Sequence, residues 1–325
     1  MHSRGEGTRV LITGARGFVG PYVMDALRRI CGTDVALFPT AKDAVNDPAL
    51  GPVLALDITD RASIEDALFR CDPTHVIHLA GIAAPAAASA DPDAAWHVNV
   101  HGTLNLARAI LEKAPRCCLL NVGSGLIYGD SAKAGQPLDE HSLVAPLDDY
   151  SVTKSAADLA LGAMARRGLK CVRFRPFNHS GAGQTDAYVL SAFAQQIARI
   201  EQGLAEPVMM VGNLDAERDF LDVRDVADAY ALAVKKSDVL EPGCIINIAS
   251  GTSRRVGDLL QQLLSLSRVK ITAEVDPARY RPSDLPRVVG NADRARQILG
   301  WAPRYSIEQT LAAILDDHRA RLAHH

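Results

Sequence analysis

The chain has 325 residues, 48% hydrophobic and 22% charged, with a formal net charge of −3. That balance fits a globular chain with a full core, one large domain or a large domain with a smaller lobe, and it offers no basic field for nucleic acid. The six cysteines, Cys31, Cys71, Cys117, Cys118, Cys171 and Cys244, contain no Cys-x-x-Cys pair and no histidines cluster at ligand spacing, so no metal is expected and the thiols are expected to be reduced, in the cytoplasm.

Residues 1–9 are polar and read as a frayed tail rather than a signal peptide. Val10-Leu11-Ile12 is a short apolar run that predicts a buried strand. Thr13-Gly14-Ala15-Arg16-Gly17-Phe18-Val19-Gly20 follows, and 22–30 carries apolar residues at helical spacing. Strand, glycine loop and helix make the context of a dinucleotide-binding turn, in which small residues admit a pyrophosphate to the free N–H groups of the helix start. The spacing here is Gly-x-x-Gly-x-x-Gly, and Gly14, Arg16, Gly17, Phe18, Val19 and Gly20 are candidate cofactor contacts. A second strand is predicted at 34–38. It ends Leu37-Phe38-Pro39-Thr40 without the acid that holds ribose hydroxyls in NAD sites, while Arg16 and Lys42 stand where a ribose phosphate could be met. NADPH is therefore expected over NADH, which stays possible.

A third strand is predicted at 53–57, leading into Asp57-Ile58-Thr59-Asp60, with Thr59 or Asp60 capping a helix that runs to Phe69 and Ser63 as a second candidate. A fourth, at 76–81, contains His78, read as a satisfied core histidine, and runs into Leu79-Ala80-Gly81. The apolar stretch around 76–90 is cut by His78 and Pro85 and is too short to span a bilayer; its Ala-rich part, 83–90, reads as a loop near the cofactor. A helix is predicted at 96–111 with Asn99 inside it, and a fifth strand at 118–122 ending Gly123-Ser124-Gly125-Leu126-Ile127-Tyr128-Gly129. Tyr150 and Lys154 follow, four apart and on one face of a helix, where a positive charge would lower the phenol's pKa for proton transfer. Apolar strands alternating with helices predict an α/β fold with a doubly wound parallel sheet, so that Ser124 and Tyr150 both come from its carboxyl edge.

The ordered set Thr-Gly-x-x-Gly-x-x-Gly, Asp57-Ile58-Thr59-Asp60, His78-Leu79-Ala80-Gly81, Ser124 ahead of Tyr128-Gly129, and Tyr150-x-x-x-Lys154 resembles the nucleotide-sugar branch of the extended short-chain dehydrogenase/reductases, over roughly the whole chain. The resemblance implies that the glycines hold the pyrophosphate and that Asp57 and Ile58 lie by the adenine. It further implies that Leu79, Ala80, Gly81 and Asn99 line the cofactor, that Lys154 binds the nicotinamide ribose, that Tyr150 is the acid/base, and that Ser124 binds the reacting oxygen. Arg175-Pro176-Phe177-Asn178-His179, the segments 211–220 and 222–226, and Arg281-Pro282-Ser283-Asp284 are similar to the GDP-sugar members, the 4,6-dehydratases and more closely the GDP-4-keto-6-deoxy-D-mannose reductases. Taken singly, Arg175 and Arg224 read as surface salt bridges. By the resemblance Asn178, Val211, Asn213 and Arg218 face the nucleotide sugar, and Arg281 and Asp284 contact diphosphate and ribose.

Two residues before Tyr128 the dehydratases carry a Glu and the GDP-fucose synthases a Cys; this chain has Leu126, which suits reduction alone. Gly123 and Gly125 around Ser124, and Ser180 and Ala182 after Asn178, depart from the relatives and leave the sugar open. The expected reaction is hydride transfer to the 4-keto group of GDP-6-deoxy-4-keto-D-mannose, giving GDP-D-rhamnose. A dehydratase or epimerase with retained NAD(P), a non-catalytic NAD(P)-binding protein, and a reductase of a UDP or dTDP sugar remain open. The dinucleotide-binding part is expected over 9–176 and 219–250 and the substrate lobe over 177–218 and 251–325. A homodimer is expected through the helices at 96–111 and 150–165, with Leu104, Ala157 and Leu161 as outward candidates.

Overall fold

The computed structural model describes residues 7–278 and 285–323. β1 (Arg9–Thr13), α1 (Gly20–Cys31), β2 (Ala36–Ala41), β3 (Val45–Asp47), β4 (Gly51–Ala55), α2 (Arg61–Cys71) and β5 (His75–His78) come first. α3 (Pro85–Ala90) and α4 (Pro92–Ala95) follow; a π-helical turn at Trp96–Gly102 then carries α4 into α5 (Thr103–Lys113), and β6 (Cys118–Val122), α6 (Asp149–Ala165) and β7 (Cys171–Pro176) complete this half. The chain leaves through β8 (Asn178–Ser180), α7 (Val189–Glu201), β9 (Val208–Val211) and β10 (Glu217–Asp222), and returns with α8 (Val223–Lys235) and β11 (Cys244–Ile248). β12 (Ser253–Arg255), α9 (Val256–Ser265), β13 (Thr272–Val275), β14 (Arg287–Val288), α10 (Asp293–Leu299) and α11 (Ile307–Ala323) close it.

The large sheet has eight strands in the order β11-β7-β6-β5-β1-β2-β4-β3, parallel except where β3 turns back on β4. Its central strands are apolar on both faces because helices cover both. Val10, Ile12, Leu120 and Phe174 share one core with Val23, Leu27, Val226 and Tyr230, while Leu11, Val76 and Leu119 share another with Ile64, Ile110 and Leu161. Strand order reverses between β1 and β5, which opens a crevice at their carboxyl ends. A smaller lobe has its own core, with Leu190, Phe193, Leu260, Leu311 and Ile314, and its own sheet in which β10 lies between β12 and β14 and also pairs with β8.

The fold is thus the expected doubly wound α/β sheet with a smaller lobe, but three local expectations are corrected. β2 runs on to Ala41, because β4 pairs only with Thr40 and Ala41 and the missing N–H of Pro39 leaves that ladder intact. The third strand, expected at 53–57, is instead Gly51–Ala55, the second arm of a hairpin with Val45–Asp47. The Ala-rich segment is helical from Pro85, since proline suits a first helical turn and alanine has the strongest helix preference. On the helices considered for a dimer, Ala157 and Leu161 are buried and Leu104 packs on the same core; the exposed apolar side chains there are Trp96 and Leu159.

Candidate active site

α6 begins where Asp148 accepts from Ser151 N at 2.7 Å and Ser151 Oγ accepts from Asp148 N at 3.1 Å, a reciprocal cap. Starting there, the helix turns Tyr150 inward, where Ser124 favours the ionised form of its phenol. Ser124 stands just past the end of β6, where its Oγ accepts from Leu126 N at 3.1 Å and caps the 3-10 turn Gly125–Ala134. Acid and oxygen-binding hydroxyl are therefore brought together by one strand end and one helix start.

The expectation that Lys154 lowers the phenol's pKa is corrected. Lys154 Nζ donates to Val122 O at 3.1 Å, and no hydrogen bond joins it to Tyr150 among the described residues. Burial pushes Tyr150 up to about 12 although Ser124 acts in the other direction, and burial brings Lys154 down to about 8. The phenol is held protonated, the form in which it can give a proton.

The phosphate end is made of backbone. Gly14 has φ +66°, and a Cβ there would lie 2.7 Å from Ala80 Cα; a Cβ on Gly81 would lie 2.9 Å from Asn99 Oδ1. The turn after β1 can approach Ala80, and the loop after β5 can approach Asn99, because these two positions are glycine. The amides of Phe18 and Val19 make no hydrogen bond among the described residues and stand at the start of α1. Open glycine backbone, free amides and a helix N-terminus fit a dinucleotide pyrophosphate. Leu79 N and Ala80 N donate to Thr13, and Ile58 is buried against Gly102, so the side chain of Ile58 belongs to the frame.

Asn99 has a different task from the expected one. Its Oδ1 accepts from Ile82 N at 2.8 Å, and its Nδ2 donates to Ile82 O and to Thr153 Oγ1, both at 3.1 Å. The side chain ties the loop after β5 to α6, which positions Tyr150 and Lys154. His78 is the satisfied core histidine that was expected, between Thr13 Oγ1 at 2.7 Å and Thr103 Oγ1 at 3.0 Å, and burial brings it down to about 3. Asp57 Oδ1 accepts from Thr59 N and Thr59 Oγ1, which holds the carboxyl below its usual range, and Asp60 caps α2. Both cations considered for a ribose phosphate are paired, Arg16 Nε with Asp47 Oδ2 at 3.1 Å and Lys42 Nζ with Asp57 Oδ2 at 3.7 Å.

On the substrate side, Asn178 and Arg218 line one small pocket with Gly125, Leu126, Phe177, Asp219 and Val288. Burial lowers the pKa of the Arg218 guanidinium. Leu126 packs on the small buried cluster of Ala88, Ala95 and Tyr150. Asn213 Oδ1 accepts from Asp215 N, and Val211 has its side chain in the lobe core, so a ligand can meet only its main chain. Arg281 and Asp284 lie outside the described residues. Arg224 pairs with Asp222 as its salt-bridge reading expected; Arg175 pairs with Asp158, but both are buried, so its expected place on the surface is corrected.

Sequence reasoning missed a buried network behind the site. Arg175 donates to Asp158 Oδ2 at 2.7 Å and to Tyr128 Oη at 3.0 Å, and Tyr128 Oη donates to Asn247 Oδ1 at 2.7 Å. It joins α6 to the turn that starts at Ser124. Asp158 lies four residues after Lys154, a spacing that could have placed it on the same helix face. Also missed was His179, whose ring stacks on Phe18 of the glycine loop at 6.3 Å.

Comparison with known proteins agrees with this arrangement. The sequence model of the NAD dependent epimerase/dehydratase family matches residues 10–249. The chain is 35% identical to the GDP-6-deoxy-D-mannose reductase of Pseudomonas aeruginosa over 97% of this chain and 98% of that one. It is 26% identical to a UDP-glucose 4-epimerase of Rhizobium leguminosarum bv. trifolii over 96% and 98%. Among solved structures, RMD from Pseudomonas aeruginosa complexed with NADPH superimposes with a TM-score of 0.85 at 33% identity, covering 97% of this chain and 100% of that one. A Thermus thermophilus UDP-glucose 4-epimerase in complex with NAD gives 0.82 at 29%, covering 96% and 99%. The chain belongs to the NAD dependent epimerase/dehydratase family.

Proposed function

We propose that the protein reduces the 4-keto group of GDP-6-deoxy-4-keto-D-mannose with NADPH, or less favourably NADH, to give GDP-D-rhamnose. The observation that carries this reading is Leu126 packed on the cluster that holds Tyr150, beside a pocket whose one acidic lining residue among the described residues is Asp219. Asp219 lines the pocket, yet it already accepts from Ser250 N, Ser250 Oγ, Gly251 N and Gly290 N. Dehydration needs a base beside the ketone; reduction needs only an acid and an oxygen-binding group. The 35% identity to a GDP-6-deoxy-D-mannose reductase supports the same choice.

When bound, the reduced nicotinamide supplies the hydride that reaches the ketone carbon. Tyr150 Oη gives its proton to the forming alkoxide, so that carbon and oxygen together gain the two hydrogens of the alcohol. Ser124 Oγ holds that oxygen. Lys154 takes the nicotinamide ribose. Gly14, Gly17, Gly20 and the amides of Phe18 and Val19 hold the pyrophosphate, and Asp57 faces the adenine. Asn178, Asn213, Arg218 and the main chain of Val211 hold the nucleotide sugar, with Arg281 and Asp284 on diphosphate and ribose. The two functional parts are assigned to 9–176 with 219–250 and to 177–218 with 251–325. Pairing of two chains through α5 and α6 would cover Trp96 and the 57% exposed Leu159; sedimentation as a monomer at micromolar concentration would dismiss it.

The test is incubation with NADPH and a panel of 4-keto nucleotide sugars, following nicotinamide absorbance. Consumption with the GDP-4-keto sugar, and GDP-mannose left intact by the protein alone, is the expected result. Loss of water from GDP-mannose would overturn it, and turnover only with a UDP or dTDP sugar would move the substrate.

A further inference from the structure

Arg16 is the cation nearest the glycine loop, and its guanidinium is not open to a ligand on equal terms from all sides. Nε is held by Asp47 Oδ2 at 3.1 Å, and Asp47 is on the short edge strand β3 that the hairpin with β4 brings back toward the end of β2. The carboxylate is prearranged for this contact. Its other oxygen, Oδ1, accepts from Ala49 N at 3.0 Å and Leu50 N at 3.3 Å, so one oxygen builds the turn while the other faces the arginine. Asp47 has only 17% of its side chain exposed and Arg16 has 52%. The second cation of this edge is also matched, since Lys42 pairs with Asp57 at 3.7 Å. The carboxyl edge of β2 is where a fold of this kind holds the adenosine ribose.

We propose that Asp47 is a specificity-determining residue for the cofactor, competing with a ribose 2′-phosphate for Arg16 and so weakening the preference for NADPH over NADH. This rests on the dinucleotide reading above and deepens it. A phosphate monoester carries ~1.5–2 negative charges at pH 7 and would have to approach a guanidinium already facing a fixed carboxylate. A 2′-hydroxyl meets no such repulsion and can donate to a carboxylate. The chain's own acid therefore offsets part of what Arg16 contributes to a phosphorylated ribose, and the net charge of the pair favours neither cofactor strongly.

The test is calorimetric binding of 2′,5′-ADP and 5′-AMP to the full chain, which needs no turnover. In Asp47→Asn the amide oxygen still accepts from Ala49 N and Leu50 N, while the amide nitrogen cannot accept from Arg16. An exposed pair is worth up to ~1 kcal/mol, so 2′,5′-ADP should tighten about three- to fivefold with 5′-AMP within twofold. Arg16→Ala should weaken 2′,5′-ADP about tenfold and abolish the effect of Asp47→Asn when the two are combined. An unchanged ratio of the two affinities in Asp47→Asn overturns the proposal. Weakening of 5′-AMP instead overturns it too, by showing that Asp47 receives ribose hydroxyls. If the unaltered chain binds neither probe, the dinucleotide reading itself has failed.

Discussion

Around Tyr150 the acid and the Asp158–Arg175 pair are shut away from water, whereas around Arg16 and Lys42 each charge stands in solvent and answers to one carboxylate. The two regions are ends of the same cleft. At the catalytic end burial does the electrostatic work, raising the phenol and lowering the amine, and behind it Arg175 is fixed by both Asp158 and Tyr128. At the adenosine end the charges are screened, and what each contributes depends on which neighbour it keeps. A change at the first end should therefore cost far more than a change at the second.

The largest effect should come from Tyr150→Phe, which removes one oxygen from the buried site. Turnover of the keto sugar should fall ~10²–10⁴-fold, with NADPH affinity within twofold by fluorescence titration. Near-normal turnover would remove Tyr150 as the acid and break the comparison at its strongest point. Next is Asp158→Ala, which leaves Arg175 buried without its carboxylate and takes a partner from Arg173. Breaking a buried pair on one side costs about 3–5 kcal/mol. Urea unfolding should report a loss of that order; a loss under ~1 kcal/mol would mean that the network is dispensable.

A pH profile sharpens the contrast. Tyr150, at about 12 in the free protein, stays protonated through the working range, and Lys154, at about 8, does not. Below pH 8 the amine is charged, and as pH rises through 8 it loses the charge proposed to hold the nicotinamide ribose. The reductive kcat/KM, which reports the free protein, should be level on the acid side and fall on the alkaline side near pH 8. A profile that rises through that region would assign the ionisation to another group.

The catalytic end was also the more legible one in the sequence. Gly14, Ser124, Tyr150 and Lys154 carry signals local to a strand end or a helix turn, and the buried strands read as unbroken apolar runs, so order and spacing placed them. What the sequence did not give up depends on chain segments meeting in space. Asp47 sits on a hairpin that Pro52 and Gly51 make look like loop, so its pairing with Arg16 could not be read. The partner of Lys154 is a carbonyl, which no side-chain pattern marks. Arg175 joins Tyr128 and Asp158 from three separate elements, and the helix at Pro85 was hidden by reading proline as a break rather than as a first turn.

The smallest effect is expected from Lys42→Ala, and it tests the exposed end directly. Lys42 has 79% of its side chain exposed and meets Asp57 at 3.7 Å, a distance at which solvent competes for both charges. Asp57 does not depend on it, because its carboxyl is held down first by the Thr59 hydroxyl and amide, with the Lys42 charge a lesser contributor. Removing Lys42 should leave the Asp57–Thr59 turn in place and change unfolding stability by less than ~0.5 kcal/mol, with the difference vanishing at high salt. Asp57→Ala should cost more, about 1 kcal/mol, since the amide and hydroxyl of Thr59 lose their acceptor together. Paired urea titrations of the two variants at low and high salt decide the order. If Lys42→Ala proved the costlier of the two, the charge and not the turn would be holding this edge, and the contrast between a buried, over-determined end and a loosely paired one would have to be abandoned.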